Sequence, residues 1–181
     1  MRSAGLAWMV IALVLGTVSP AVAQAPDLAT VVLTAADVPA GLRLNPDRSG
    51  PQLRGGTPGY QATFDGDPLS LAQAGGGIVS VVNLVALPDD PATGLDELVR
   101  GMRQGLPGNT VDLTPPAIGE DRRAFTSSLG LGPLSVNIAG AAFRRGSVVA
   151  AVVVTGAGDR VSSEAVRLAQ IVDGRLVGAS R

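Results

Sequence analysis

Cysteine, histidine and lysine are all missing from the 181 residues. Without cysteine there is no disulfide, no thiolate metal site and no lipid anchored through a thiol. Without histidine or lysine the usual activating bases are gone, which excludes Ser-His-Asp, Cys-His and Ser-Lys nucleophile systems. A zinc site would have to be all-carboxylate, a rare arrangement. Aromatics are almost as scarce. The single tryptophan, Trp8, falls in a segment expected to be removed, which leaves Tyr60, Phe64, Phe125 and Phe143. A stacking platform for sugars or single-stranded nucleic acid needs several rings on one exposed face. Four rings that the core also needs do not supply one. The net charge is −1, so neither nucleic acid nor a strongly charged membrane surface is expected as a partner.

What is present starts with an export signal. Arg2 gives a positive start, Leu6 to Leu15 an apolar stretch, and Ser19-Pro20 a break. Ala21-Val22-Ala23 is then a small-x-small cleavage site before Gln24. Residues 1–23 therefore read as a signal peptide, and 24–181 as one secreted or periplasmic domain with no transmembrane segment after cleavage. That domain, about 158 residues long, is large enough to bury a core without staples. No N-x-Ser/Thr sequon occurs.

Along the domain, Asp27 to Val38 reads as one or two short helices that lid an end of a sheet. Thr34 and Asp37 form a capping-box pattern, and Pro39 and Gly41 stop it. Residues 45–59 are rich in Gly, Pro, Ser and Asp and read as a flexible loop. Strands are expected at 60–64, with Tyr60, Ala62 and Phe64 on one side, and at 78–87. Leu69 to Gly77 is ambiguous. Asp90 and Pro91 start a helix to Gln104, whose Leu95, Leu98, Val99 and Met102 form one stripe. Asp96 and Arg100 support it from the wet face.

Short strands follow at 111–113 and 122–128. A hairpin of 134–143 and 148–154 turns at Arg144-Arg145-Gly146-Ser147. Its second strand is apolar on both faces, as befits a central strand. A last helix, about 162–177, carries the stripe Val161, Ala165, Leu168, Ala169, Val172 and Leu176. Hairpins and meanders with two main helices predict an α+β fold with an antiparallel sheet of about five to six strands, plus the short N-terminal helices.

Three features bear on chemistry. Asp65-Gly66-Asp67 is a turn pair before it is a calcium site. Gly75-Gly76-Gly77 precedes a strand, not the helix that a phosphate cradle needs. The third follows from topology. If 122–128 pairs with 134–143, Arg122 and Arg123 come to the same sheet end as Arg144 and Arg145. Four guanidinium groups there would form an anion-binding patch. Glu120 and Asp121 stand beside them as possible neutralising partners.

Thr34-Ala35-Ala36-Asp37-Val38-Pro39-Ala40-Gly41-Leu42 is similar to an L-x-x-x-D-L-P-x-G-(F/W) opening of secreted bacterial proteins. Ile118-Gly119-Glu120-Asp121, Phe143-Arg144-Arg145-Gly146-Ser147-Val148-Val149-Ala150 and Ala165-Val166-Arg167-Leu168-Ala169 resemble their later I-G-D/E, F-R-x-G-x-x-V-A and A-x-x-L-A segments. The pattern distantly resembles PknH-type extracellular sensor domains and PsbP-like proteins. The resemblance implies an α+β sandwich that binds rather than catalyses. The sensor domains carry paired cysteines, absent here, and no functional residue is carried over.

These readings together predict an exported, non-catalytic domain with no cofactor or metal. It would bind a small ligand or an envelope partner protein, in a cleft beside 45–59 or at the arginine end. The alternatives are a structural or assembly accessory of the envelope, acting through a flat apolar surface, and a hydrolase using two carboxylates roughly 5–10 Å apart.

Overall fold

The last strand in the sequence lies in the middle of the sheet. The structure, a computed structural model, describes residues 27–67, 77–131 and 134–179. The expected signal peptide and most of the ambiguous 69–77 stretch lie outside them. In chain order the elements are α1 (Leu28–Val31), β1 (Arg43–Leu44), a 3-10 turn (Pro46–Arg48), β2 (Gly50–Arg54), β3 (Thr57–Asp65) and β4 (Ile78–Ala86). Then come α2 (Pro91–Gln104), β5 (Thr110–Leu113), β6 (Arg122–Leu131), β7 (Leu134–Arg145), β8 (Val148–Gly156) and α3 (Arg160–Ala179). The sheet order is β1-β3-β4-β8-β7-β6-β5, with β2 also paired to β3. Every pairing is antiparallel. Among the described residues no helix is long and apolar enough to cross a membrane.

The α+β class stands, but the sheet is larger than expected: eight strands among the described residues. One additional strand, β2, and the start of β3 come from 45–59, the segment read as a flexible loop, and the other additional strand, β1, lies just before it. β2 and β3 form a hairpin closed by Gly55-Gly56, with φ of 58° and 89°. Two successive positive φ values are what a two-residue type I′ turn requires. Pro51 fits because β2 is an edge strand, where a missing N–H breaks no ladder. The 3-10 turn between β1 and β2 is a bulge: Leu44 faces Phe64, yet Gly50 faces Gln61.

Strand alternation gives the sheet two unlike faces. One carries Phe64, Val81, Val85, Ala141, Phe143, Ala150 and Val152, covered by α3 and by the N-terminal segment. The helix buries Val161, Ala165, Leu168, Ala169, Val172 and Leu176, the stripe read from its spacing. Each large apolar side chain so buried contributes roughly 1.5–3 kcal/mol. The N-terminal segment adds Val31, Val32, Leu33, Val38 and Leu42 to this core. Among the described residues the other face is covered by α2 alone, through Leu95 and Val99 against Ala142, Val149 and Ala151. These floor residues are mostly small, so α2 sits as a narrow bar across a wide sheet. Open grooves run along both its flanks.

Polar contacts lock the N-terminal segment down. Buried Asn83 accepts from Leu33 N–H at 2.9 Å and donates to the Ala151 carbonyl at 3.0 Å. Asp37 accepts from the Thr34 N–H and hydroxyl, at 2.6 and 2.8 Å, which closes the expected capping turn. Arg175 of α3 donates to both Asp37 carboxylate oxygens, at 2.9 and 2.8 Å. Burial alone would raise the Asp37 pKa, but the Thr34 hydrogen bonds and the Arg175 guanidinium outweigh it and hold it below its usual value.

Candidate functional site: an arginine-lined groove beside helix α2

Helix α2 is fixed at its start by Asp90, whose carboxylate accepts from Ala92 N–H at 3.1 Å, and by Pro91 in the first turn. Its buried stripe sets the rotation of the helix. Asp96, Arg100 and Arg103, spaced by four and three, then fall on the flank that looks toward β6. Between that flank and the β5–β6 strands lies an open groove of about 530 Å³. Four arginines border it: Arg100 and Arg103 from α2, Arg122 and Arg123 from β6. Asp96 and Asp112 are the acids that border it. The formal balance is four positive charges against two negative.

The four guanidinium groups differ in what holds them. Arg103 pairs with Asp112 and lies over the Phe125 ring, 5.8 Å from its centroid. Its Nε is buried without a hydrogen-bond partner. A guanidinium on an aromatic face gains cation–π attraction and is stiffened by it. Arg123 meets Asp96 at 3.4 Å. Arg100 and Arg122, both exposed, have no ion-pair partner among the described residues. Asp96 therefore turns to β6 rather than to Arg100, its expected partner on the helix.

The four arginines singled out from the sequence do come to one end of the β6–β7 hairpin. Arg122 faces Phe143 and Arg123 faces Ala142. Strand alternation then divides them. Arg123 and Arg144 belong to the α2 side, and Arg122 and Arg145 to the α3 side, although Arg122, just past the end of β5, still borders the groove. Arg144 is engaged by the preceding strap. It donates through Nε and Nη2 to Asp121 at 3.0 and 2.9 Å, and its Nη1 is 2.7 Å from Glu120. The Asp121 hydrogen bonds, helped by the Glu120 and Asp121 charges, raise the Arg144 pKa further. Arg145 makes a two-pronged pair with Asp173 of α3, at 2.8 and 2.7 Å. The structure thus puts Arg122 and Arg123 at a groove and uses Arg144 and Arg145 as fasteners.

Arg100 and Arg103 complete the groove and were not singled out from the sequence. Their spacing on one helical flank was legible. That this flank would face the Arg122-Arg123 pair was not, because it depends on where β6 docks. Asp65 ends β3 and accepts from Asn45, Ser80 and Arg48 at 2.8, 2.9 and 3.4 Å. Burial pushes its pKa up, but these partners more than reverse that and lower it. No cluster of three or more metal-ligating side chains occurs among the described residues.

Fold and groove define an α+β domain with helices on both faces of an antiparallel sheet and an arginine-lined cleft on the thinly covered face. No protein-family model matches the chain, and no curated protein matches it. Among solved structures, the chain is similar to the crystal structure of LpqN, described as involved in cell envelope biogenesis of Mycobacterium tuberculosis. The TM-score is 0.32 and the identity 15%, over 76% of this chain and 78% of that one.

Proposed function

We propose that this is an exported, non-catalytic binding domain whose ligand is a small organic anion held in the groove beside α2. The observation that supports this reading is the pair Arg100 and Arg122, unmatched guanidinium groups bordering a groove where positive charge is in surplus. Guanidinium groups recognise carboxylates and phosphates through paired N–H donors. Arg103, stiffened on Phe125, adds a preset donor. Asp96 and Asp112 pair with Arg123 and Arg103, and an incoming anion competes with them. The absence of histidine, lysine and cysteine supports binding rather than turnover.

A calorimetric titration with citrate and with inorganic phosphate tests the reading. The wild type is expected to bind at least one of them at moderate salt, more weakly as salt rises. The Arg100→Ser/Arg122→Ser double variant is expected to lose roughly tenfold or more in affinity. Equal binding by the wild type and the double variant, or no binding of either anion, overturns the reading. The accessory-protein reading draws support from a different observation: Leu44 and Leu53, exposed at 51% and 75%, both lie on the β1–β2 edge of the sheet.

A further inference from the structure

We propose that the other flank of α2 is a second binding site, which takes a free apolar α-amino acid as its zwitterion. A groove of about 320 Å³ lies there, between the helix and the β2–β3 turn. Its floor is Leu84, Ala86 and Val149 of the sheet, and its helical wall is Leu98 and Met102. The volume is at the low end of the range of small-molecule sites, roughly 300–1,000 Å³. It suits one amino-acid side chain better than a drug-sized molecule.

Two observations single this groove out. The first is Gly101, a glycine inside a helix, where glycine is among the poorest helix formers. At Gly94, one face-repeat earlier, packing explains the glycine: a Cβ would lie 2.5 Å from Pro88. At Gly101 a Cβ would meet nothing within 4 Å. Packing does not require this glycine, and its missing side chain leaves the groove open. Met102 beside it is a side chain that adapts to varied apolar shapes.

The second observation is the charge at the rim. Arg54 stands on the hairpin wall and Glu97 on the helix wall, both exposed and both bordering the groove. Arg54 donates to Gln61 at 3.1 Å. Neither Arg54 nor Glu97 has an ion-pair partner among the described residues, so they are not paired with each other across the groove. One cation and one anion thus border an apolar floor. The complementary ligand has a carboxylate for Arg54, an ammonium for Glu97 and an apolar side chain between them. The site is separate from the arginine groove and does not depend on it.

The test is isothermal titration of the purified protein with L-leucine, backed by the ligand-induced rise in Tm. Leucine is expected to bind one-to-one. N-acetyl-leucine, which lacks the ammonium, and isopentylamine, which lacks the carboxylate, are each expected to bind roughly tenfold more weakly or worse. Gly101→Leu fills the groove from an unobstructed helix position, so it should abolish binding while Tm stays level or rises. Arg54→Ser and Glu97→Gln should each weaken leucine roughly tenfold. No binding of leucine or phenylalanine at millimolar concentration overturns the proposal. So does equal binding of isopentylamine, leucine binding that survives Gly101→Leu, or tighter binding of trileucine, which would make the site a peptide groove.

Discussion

The Phe125 ring occupies the space a side chain at position 140 would need. A Cβ on Gly140 would sit 2.3 Å from Phe125 Cζ and 2.6 Å from Cε2. The two residues face each other across β6 and β7, and Phe125 is fully buried. Gly140 is the lower layer of a stack whose upper layer is Arg103. Gly140→Ala is expected to destabilise the protein by roughly 1–3 kcal/mol, because an added methyl in a packed core forces the ring or the strand aside. Urea unfolding measures the loss. A neutral or stabilising result would show that the ring has room to retreat.

Asn83 is the clasp between sheet and N-terminal segment. Asn83→Leu leaves the Leu33 N–H without its acceptor in a buried setting. An orphaned buried donor costs about 1–3 kcal/mol. The expected result is that loss in urea unfolding, together with faster limited proteolysis within 27–42. Wild-type protease resistance of that segment in the variant would argue against the clasp.

Asp37 makes the protein sensitive to acid. Its pKa is lowered in the fold, so its contribution is complete above the unfolded value of about 3.8 and fades as pH falls through the folded value. Wild-type stability should therefore drop on acidification below about pH 4. Asp37→Asn should be less stable than wild type at pH 6, and the gap should close in acid. A gap constant from pH 6 down to pH 2 would remove Asp37 from the list of responsible groups. Asp65 is shifted the same way and adds to the same window, so the variant flattens the profile only in part.

Gly119 is held where no other residue fits. Its φ is 55°, and a Cβ would lie 2.5 Å from the Arg144 carbonyl oxygen and 2.8 Å from the Phe143 ring. The strap beyond it exchanges backbone hydrogen bonds with Arg144, from Glu120 N–H at 2.8 Å and to Asp121 C=O at 2.9 Å. Gly119→Ala should cost roughly 1–3 kcal/mol by thermal or urea unfolding. Arg144→Ser should cost less, since its ion pairs are partly solvated. The reverse order would mean that the side-chain pairs, and not the backbone approach, hold the strap.

Much of this architecture was legible because periodicity reports burial directly. The stripe of α3 matches the buried residues one for one, and the all-apolar run Val148 to Val154 is the central strand. The β2–β3 hairpin was missed because Gly-, Pro- and Ser-rich composition reads as loop. The adjacent glycines between Arg54 and Thr57 were the signal that could have revealed it. The four arginines do meet at one hairpin end, but how they divide there was not legible. Sequence distance brings Arg122, Arg123, Arg144 and Arg145 together, but strand parity decides their faces. The acids that take up Arg144 and Arg145 come from a strap and from a helix, and no local pattern announces either. The I-G-E-D segment presents its two carboxylates to Arg144 of the F-R-R-G segment, while Arg145 turns to Asp173 of α3.

The position of β8 has a consequence for how the chain is completed. It joins β3–β4 on one side to β5–β7 on the other, pairing Asn83 with Val152 and Ala141 with the same residue. Until residues 148–156 are available the two halves share no ladder, and until α3 follows, the larger core lacks its cover. Such distant pairings make closure late and slow. A chain that emerges amino end first thus holds two unjoined pieces of sheet until residues 148–156 bring them edge to edge and α3 closes over them.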